Sequence, residues 1–467
     1  SDRTLKAPDV HVEVFKQLID GLTTSQVTEV DFSSCGIGPV ALGHLSEWVR
    51  DAEAALNLLT VNSTGDRYDS HTYTLTAGEE KIELSNKKLG PADIQLLSTW
   101  LATRAGAVVA DLNISEAIIG DAGATLVEAI SSSSTLNFIT IGKGLRLPLK
   151  DNYDSDVLDA SEKGIEPGGV AVIAWWLTTP AAAAVKKVAL SGNPLTGGKP
   201  NYLGDGKYAQ TDGKDISGVS VLFPSMTQVT ELDVSDCGLG PTSMPELAKL
   251  VRDATAAIAS LVLDFNGIFG ELHPNVHVGY PKEADKFAGD CDSFLAALKN
   301  SHITTLSVQA TGIGPVALQK LATSLPTVVA DLNTSEAIIG DAGATLVEAI
   351  SSTSTLNFIT IGKGLRLPLK DNYDSDVLDA LEKGIEPGGV AVIAWWLTTP
   401  AAAAVEAIAI GANPIGSEGG ATLLETIKTS KLKTIDIGKP LPLQEPDDSD
   451  TLDLSKTGMD PGHVLIL

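Results

Sequence analysis

Apolar and polar residues alternate in a short phrase that keeps returning along this chain. Its first clear instance is Val27-x-x-Val30-x-Phe32-x-x-Cys35-x-Ile37-Gly38-Pro39. The alternation at positions 30 and 32 is that of a strand with both side chains on one face. Cys35 and Ile37 then turn inward after a bend, and a helical stripe follows at Val40, Leu42, Leu45 and Val49. The same template fits Val188, Leu190, Asn193 and Leu195. It also fits Leu232, Val234, Cys237 and Leu239, then Leu261, Leu263, Asn266 and Ile268, and Ile408, Ile410, Asn413 and Ile415. Looser instances include Ile82–Leu89, Leu112–Ile119, Leu306–Ile313 and Leu332–Ile339. Helices are expected after most strands: Pro91–Thr103, Asp121–Ser131, Pro167–Thr178, Pro241–Asp253, Pro315–Leu325, Asp341–Ser351, Pro387–Thr398 and Glu418–Lys428. Several open on Pro or Asp, which suit a first turn because the missing N–H is harmless there and a carboxylate complements the helix dipole.

A longer repetition lies over the short one. Val108–Val185 recurs 220 residues later as Val328–Val405, and over these 78 positions only Ile114/Thr334, Ser133/Thr353 and Ser161/Leu381 differ. Repetition decides the architecture before any single residue does. Within each copy, the segment from Ile141 to Leu158 leaves no room for a helix. Apolar residues alternate through Leu145-Arg146-Leu147-Pro148-Leu149 before a polar tip, Asp151–Asp156, which predicts a β-hairpin or folded loop there. A diverged copy of this feature spans Leu441–Leu452.

The pattern predicts an α/β fold, a solenoid or horseshoe with parallel strands on its concave face and helices and hairpin-like loops on its convex face. The expected organisation is a capping helix in residues 1–26, a first repeat block over 27–196, an inserted loop at 197–228, and a second block over 229–467 that carries another inserted loop at 269–290. Asp460-Pro461-Gly462-His463 reads as a helix start close to Leu467, so the second block is expected to be a truncated one.

Charge changes the picture in one respect. The net charge of −26 repels nucleic acid and anionic membrane surfaces, so neither is expected as a partner. No apolar run reaches the ~18 residues needed to span a bilayer. The three cysteines, Cys35, Cys237 and Cys291, form neither a disulfide framework nor a zinc spacing. Cys35 and Cys237 share the template position of Asn193, Asn266 and Asn413, where an inward polar ladder is expected.

Residues between the inward strand positions are expected on the concave surface. They include Glu29, Asp31, Glu83, Asn113, Asp159, Asp233, Asn333, Asp379, Asp436 and Asp453. A carboxylate stripe on a sheet is a candidate surface for a basic protein partner; ordinary solvent-facing alternation is the alternative, and the use of concave faces as contact surfaces in solenoids favours binding. The tips supply Asp151, Asp154 and Asp156, repeated as Asp371, Asp374 and Asp376. Carboxylates this close could hold Ca²⁺, although the spacing lacks the glycine and terminal glutamate of an EF-hand loop and Asp and Asn are also ordinary turn residues. One tryptophan of each pair, Trp175-Trp176 and Trp395-Trp396, is expected to pack inward. No nucleophile–base set or phosphate-binding loop is discernible, so no enzyme activity and no cofactor is expected, Ca²⁺ at the acidic tips being the one alternative.

Val229–Pro241 (VTELDVSDCGLGP), Ile118–Ala129 (IIGDAGATLVEA) and Ile408–Leu424 (IAIGANPIGSEGGATLL) resemble leucine-rich repeat proteins of the ribonuclease-inhibitor-like class. The resemblance runs from about Val27 onward and implies binding of other proteins without chemistry of its own. The expected function is a non-enzymatic interaction or self-assembly scaffold, with a cytoplasmic location. The alternative is a secreted or cell-surface adhesion protein with Ca²⁺-binding loops, which glycans at Asn113 and Asn333 would favour.

Overall fold

The structure, a computed structural model, describes residues 8–51, 56–198, 201–204, 207–209, 213–252, 258–272, 281–443, 454 and 457–467. The chain forms two compact units: residues 1–199 with 213–229, and residues 200–212 with 230–467. Both are mixed α/β structures in which short strands alternate with helices.

The first unit contains helices α1 (Val12–Leu22), α2 (Pro39–Asp51), α3 (Pro91–Ala102), α4 (Gly123–Ser132), α5 (Pro167–Leu177) and α6 (Ser217–Ser225). The second contains α7 (Met244–Arg252), α8 (Asp292–Leu298), α9 (Pro315–Thr323), α10 (Gly343–Ser352), α11 (Pro387–Leu397), α12 (Gly416–Thr429) and α13 (Pro461–Ile466). The helices read from the sequence all appear, within a few residues at each end. The insertion expected as a loop at 197–228 contains helix α6, where Val219, Leu222 and Phe223 bury themselves. Loop-like composition up to Asp215 concealed that apolar stripe. In the other insertion, Glu271–Leu272 pairs antiparallel with Pro281–Glu283.

Most strands are three residues long, and the middle side chain is the one taken from water. Ile82 lies between exposed Lys81 and Glu83, and Leu378 between exposed Val377 and Asp379. In the first unit Glu29–Asp31 runs parallel to Leu58–Asn62, and Lys81–Glu83, Asp111–Asn113 and Phe138–Ile141 form a second parallel run. Val157–Asp159 pairs parallel with Lys187–Ala189. In the second unit Glu231–Asp233, Ser260–Val262, Thr305–Ser307, Asp331–Asn333 and Phe358–Ile361 follow one another in parallel, as do Val377–Asp379, Ala407–Ala409 and Thr434–Asp436.

The sheets are not parallel throughout, which corrects the sequence reading. Thr72–Thr76, Leu145–Pro148, Leu365–Pro368 and Pro440–Pro442 each fold back antiparallel on the strand before them. The hairpins therefore stand in the strand layer and not among the helices. The turn in the duplicated module also lies earlier than expected, between Ile141 and Leu145 and not at the Asp-rich tip. Gly142 and Gly144 adopt φ of 51° and 82°, which residues with a side chain resist. Each returning strand pairs the exposed edge of a parallel run, satisfying backbone groups that the next strand would otherwise have met.

A tight turn follows every parallel strand that leads into a helix. The third residue beyond the strand takes a left-handed conformation, as at Ser34, Asn86, Glu116, Glu162, Asp236, Glu336, Glu382 and Ala412. Buried asparagines brace these turns. Asn193 donates to the carbonyls of Ala160 and Leu190 at 2.8 and 2.7 Å and accepts from the Ile165 N–H at 2.9 Å. Asn413 repeats this with Ala380, Ile410 and Ile385, and Asn266 serves Val234, Leu263, Cys237 and Leu239. The expected inward ladder is thus built by these asparagines and by buried Cys237, whereas Cys35, at the same template position, is exposed.

Candidate functional site

The residues singled out on the strands share one local job. Asp31 accepts a hydrogen bond from the Ser33 N–H at 2.7 Å, Asp159 from Ser161 at 3.0 Å and Asp233 from Ser235 at 2.9 Å. Asn113 and Asn333 accept from Ser115 and Ser335, each at 3.0 Å. Asp379 accepts from Leu381 at 3.1 Å, Asp436 from Gly438 at 2.8 Å and Glu83 from Ser85 at 3.3 Å. A short polar side chain at this position closes the turn by capping an N–H two residues on. Bonds from Ser33 hold the Asp31 carboxyl below its ordinary range, and bonds from Ser161 do the same for Asp159. These groups stay ionised and keep an outward face. Glu29 is exposed beside Asp31, and Asp453 lies outside the described residues.

The stripe is also less negative than the sequence suggested. Arg146, on the returning strand of the first hairpin, pairs with Asp111 at 3.0 Å and lies 4.0 Å over the ring of Phe138. Arg366 repeats this with Asp331 at 2.6 Å and Phe358 at 4.0 Å. The hairpins thus place a stacked cation among the carboxylates, and only the fold-back brings these residues together. Burial raises Asp331 despite Arg366. In the second unit a polar chain crosses three strands: Asn333 donates to Ser307 at 2.9 Å, and Ser307 donates to Asp264 at 2.6 Å. Burial pushes the Asp264 carboxyl up, and Asp233 adds to it.

The Asp-rich tips are held by backbone and hydroxyl. The Asp156 carbonyl accepts from the Lys186 and Lys187 N–H groups, and Ser155 accepts from the Val157 N–H. Asp151, Asp154, Asp156, Asp371, Asp374 and Asp376 are all exposed. Among the described residues no three His, Cys, Asp or Glu side chains converge as a metal-holding set. The related tip at Asp447–Asp450 and the histidines His273 and His277 lie outside the described residues.

Trp176 and Trp396 are fully buried, whereas Trp175 and Trp395 are half-buried. The buried partners meet the hairpins: each indole N–H donates at 2.6 Å to a hairpin carbonyl, Pro148 or Pro368, and Tyr153 or Tyr373 stands edge-on to the ring.

A set of carboxylates not foreseen from sequence ties neighbouring repeats together at helix starts, Asp93 from within its own helix and Asp9 and Asp285 from the preceding repeat. Asp93, fully buried, accepts from the N–H groups of Thr64 and Gly90, the Thr64 hydroxyl and the Tyr73 hydroxyl, all within 2.7–2.9 Å. Burial raises its pKa, and these donors oppose the shift. Asp9 caps Gly38, Val40 and Ala41 at the start of α2, and Asp285 caps Gly314, Val316 and Ala317 at the start of α9. The sequence did carry a signal here: GIGPVAL occurs at 36–42 and again at 312–318.

No helix among the described residues is long and apolar enough to cross a membrane. No family model matches the chain, and no curated protein matches it. Among solved structures it is similar to the leucine-rich repeat-containing protein LegL7 from Legionella pneumophila, at 17% identity and a TM-score of 0.32, over 69% of this chain and 80% of that one.

Proposed function

We propose that this chain is a non-enzymatic protein-interaction scaffold of the leucine-rich-repeat kind, binding a basic protein through the strand side of a solenoid. One observation carries the reading. The same outward strand position holds Asp31, Glu83, Asn113, Asp159, Asp233, Asn333, Asp379 and Asp436, each fixed by its own turn. Such fixation orders the carboxylates before a partner arrives, which lowers the entropic cost of binding. Concave faces of repeat proteins are their usual contact surfaces.

An Asp→Asn exchange separates the turn from the charge. The amide oxygen can still accept the N–H two residues on, while the negative charge is gone. We expect Asp159→Asn with Asp379→Asn to leave the melting temperature near that of the parent. Photo-crosslinking from a probe residue at Val157 or Val377, which flank Asp159 and Asp379 on the same strands, should capture a basic protein, and the double exchange should abolish that capture. Equal capture from a probe on the helix side at Gln319, or capture indifferent to the exchange, would argue against the strand face.

A further inference from the structure

The duplicated module ends in the same bend twice, and the two bends are covered differently. After α5 the chain turns through Thr178, Thr179 and Pro180 to Val185, and after α11 through Thr398, Thr399 and Pro400 to Val405. The backbone is the same in both. Thr178 and Thr398 take φ, ψ of −86°, −8° and −85°, −10°, and Thr179 and Thr399 take −85°, 157° and −83°, 159°. The Ala182 N–H donates to the Thr179 carbonyl at 3.2 Å, as Ala402 does to Thr399. The Val185 N–H donates to Ala182 at 2.9 Å, as Val405 does to Ala402 at 3.0 Å. Each carbonyl of the first bend therefore has a counterpart in the second.

The duplication stops at Val185 and Val405, so what lies over the two bends comes from sequence that is not shared. In the first unit it is Gln228, just beyond α6. Its side-chain amide donates to the Ala182 carbonyl at 2.8 Å and to the Leu177 carbonyl at 3.4 Å. A carbonyl in the last turn of a helix has no partner within the helix, and a backbone carbonyl has two lone pairs, so both can take the amide. Leu177 is 2% exposed beneath it.

In the second unit the corresponding residue is Lys431. It precedes buried Leu432 as Gln228 precedes buried Val229, each three residues before a strand. Lys431 is exposed, because an ammonium is costly to bury and its long stem lets it stay in water. Met226, two residues before Gln228, is fully buried, whereas Thr429, two before Lys431, is exposed. Over the second bend lies a cavity of about 510 Å³, lined among others by Leu397, Pro400, Ala402, Val405, Ser430 and Lys431. Leu397, the counterpart of Leu177, is only half-buried. The volume lies within the range of small-ligand sites.

We propose that this cavity binds a primary carboxamide, whose N–H groups donate to the Ala402 and Leu397 carbonyls as the Gln228 amide donates to Ala182 and Leu177. The internal copy indicates the ligand's chemistry, since the same pair of carbonyls on the same backbone already holds an amide there. Two acceptors favour an N–H₂ group over a carboxylate, which would set oxygen against oxygen. An uncharged amide also reaches them without burying a charge. Pro400 and Val405 offer apolar surface to the carbon atoms behind the amide. The carboxamide can belong to a free small molecule or to a glutamine of another chain. Neither carbonyl belongs to a strand, so the site is separate from the carboxylate stripe.

Saturation-transfer difference NMR on the intact chain tests this with two probes, N-acetylglutamine and acetyl-Ala-Gln-Ala-methylamide. The glutamine methylenes of at least one should receive saturation from the protein. Stronger binding of the peptide assigns the amide to a partner chain, and equal or stronger binding of N-acetylglutamine assigns it to a free molecule. Dimethylating the side-chain amide nitrogen removes both donors and should weaken binding about tenfold or more. Lys431→Gln should carry its own amide into the cavity and weaken binding about tenfold or more, because the competitor is intramolecular. Its melting temperature should equal or exceed the parent's. Lys431→Ala, which leaves the carbonyls uncovered, should bind like the parent. Absence of saturation with both probes overturns the proposal. So do equal binding of the dimethylated probe, parent-like binding by Lys431→Gln, or loss of binding in Lys431→Ala.

Discussion

The two copies of the duplicated module, 108–185 and 328–405, differ at three positions, and each difference is absorbed locally. Ile114 and Thr334 are both fully buried. The threonine hydroxyl finds a partner at 3.1 Å in the Thr360 carbonyl, so the polar atom is not stranded. Ser133 accepts from the Thr135 and Leu136 N–H groups after α4, whereas Thr353 bonds back to the Ala349 carbonyl at 2.7 Å. Ser161 accepts a bond from Ser191 at 3.0 Å, and Leu381 in its place is 42% exposed. Meanwhile Asp111, Asn113, Arg146, Asp159 and the tip are unchanged, though all carry exposed or half-exposed surface. Packing alone does not demand that. A recent duplication explains it, and two copies of one binding surface would follow from it.

If the copies are energetically equivalent, their bracing asparagines should be too. Asn193→Ala and Asn413→Ala each strand buried backbone groups, and we expect losses on the order of 3 kcal/mol for both, read from denaturant midpoints. A large difference between the two would break the equivalence. Next come the indoles. Trp176→Phe and Trp396→Phe each remove a buried N–H donor to a hairpin carbonyl and should cost roughly 2 kcal/mol. Smaller again, Ile114→Thr should destabilise by about 1 kcal/mol, and Thr334→Ile should be neutral or slightly stabilising.

The smallest effect is a pH dependence. Burial raises the Glu386 carboxyl above its ordinary value, opposed by N–H donation from Gly340 and Ile339. A raised folded pKa means that its contribution to stability is complete below the ordinary carboxylate range and is lost as pH rises through the raised value. Relative to Glu386→Gln, the parent should therefore lose stability as pH rises above the ordinary glutamate range. Melting curves of the pair across that range measure it, and parallel curves would refute it.

Much of this was legible in the sequence because its period is short. The buried middle residue of each strand, the helix starts at Pro91, Pro167, Pro315 and Pro387, and the inward asparagines all follow from local pattern. What escaped depends on contacts distant in sequence or on ambiguous turns. The hairpin was seen, but its turn was placed at the Asp-rich tip because Asp and Asn are ordinary turn residues, while Gly142 and Gly144 make the bend. The strand-face residues were recognised, but their bonds to the N–H two residues on were not. The caps supplied by Asp9 and Asp285, and the bond from Thr64 to Asp93, span some thirty residues, beyond any local pattern. Exposed Cys35 misled because its template position is buried only where a preceding repeat covers it.

The central claim is that both copies of the module present a surface for the same partner. Native mass spectrometry of the intact chain with its captured partner tests it directly. The account predicts two partner molecules per chain, falling to one with either Asp159→Asn or Asp379→Asn alone. A single partner per chain, unaffected by either exchange, would contradict it.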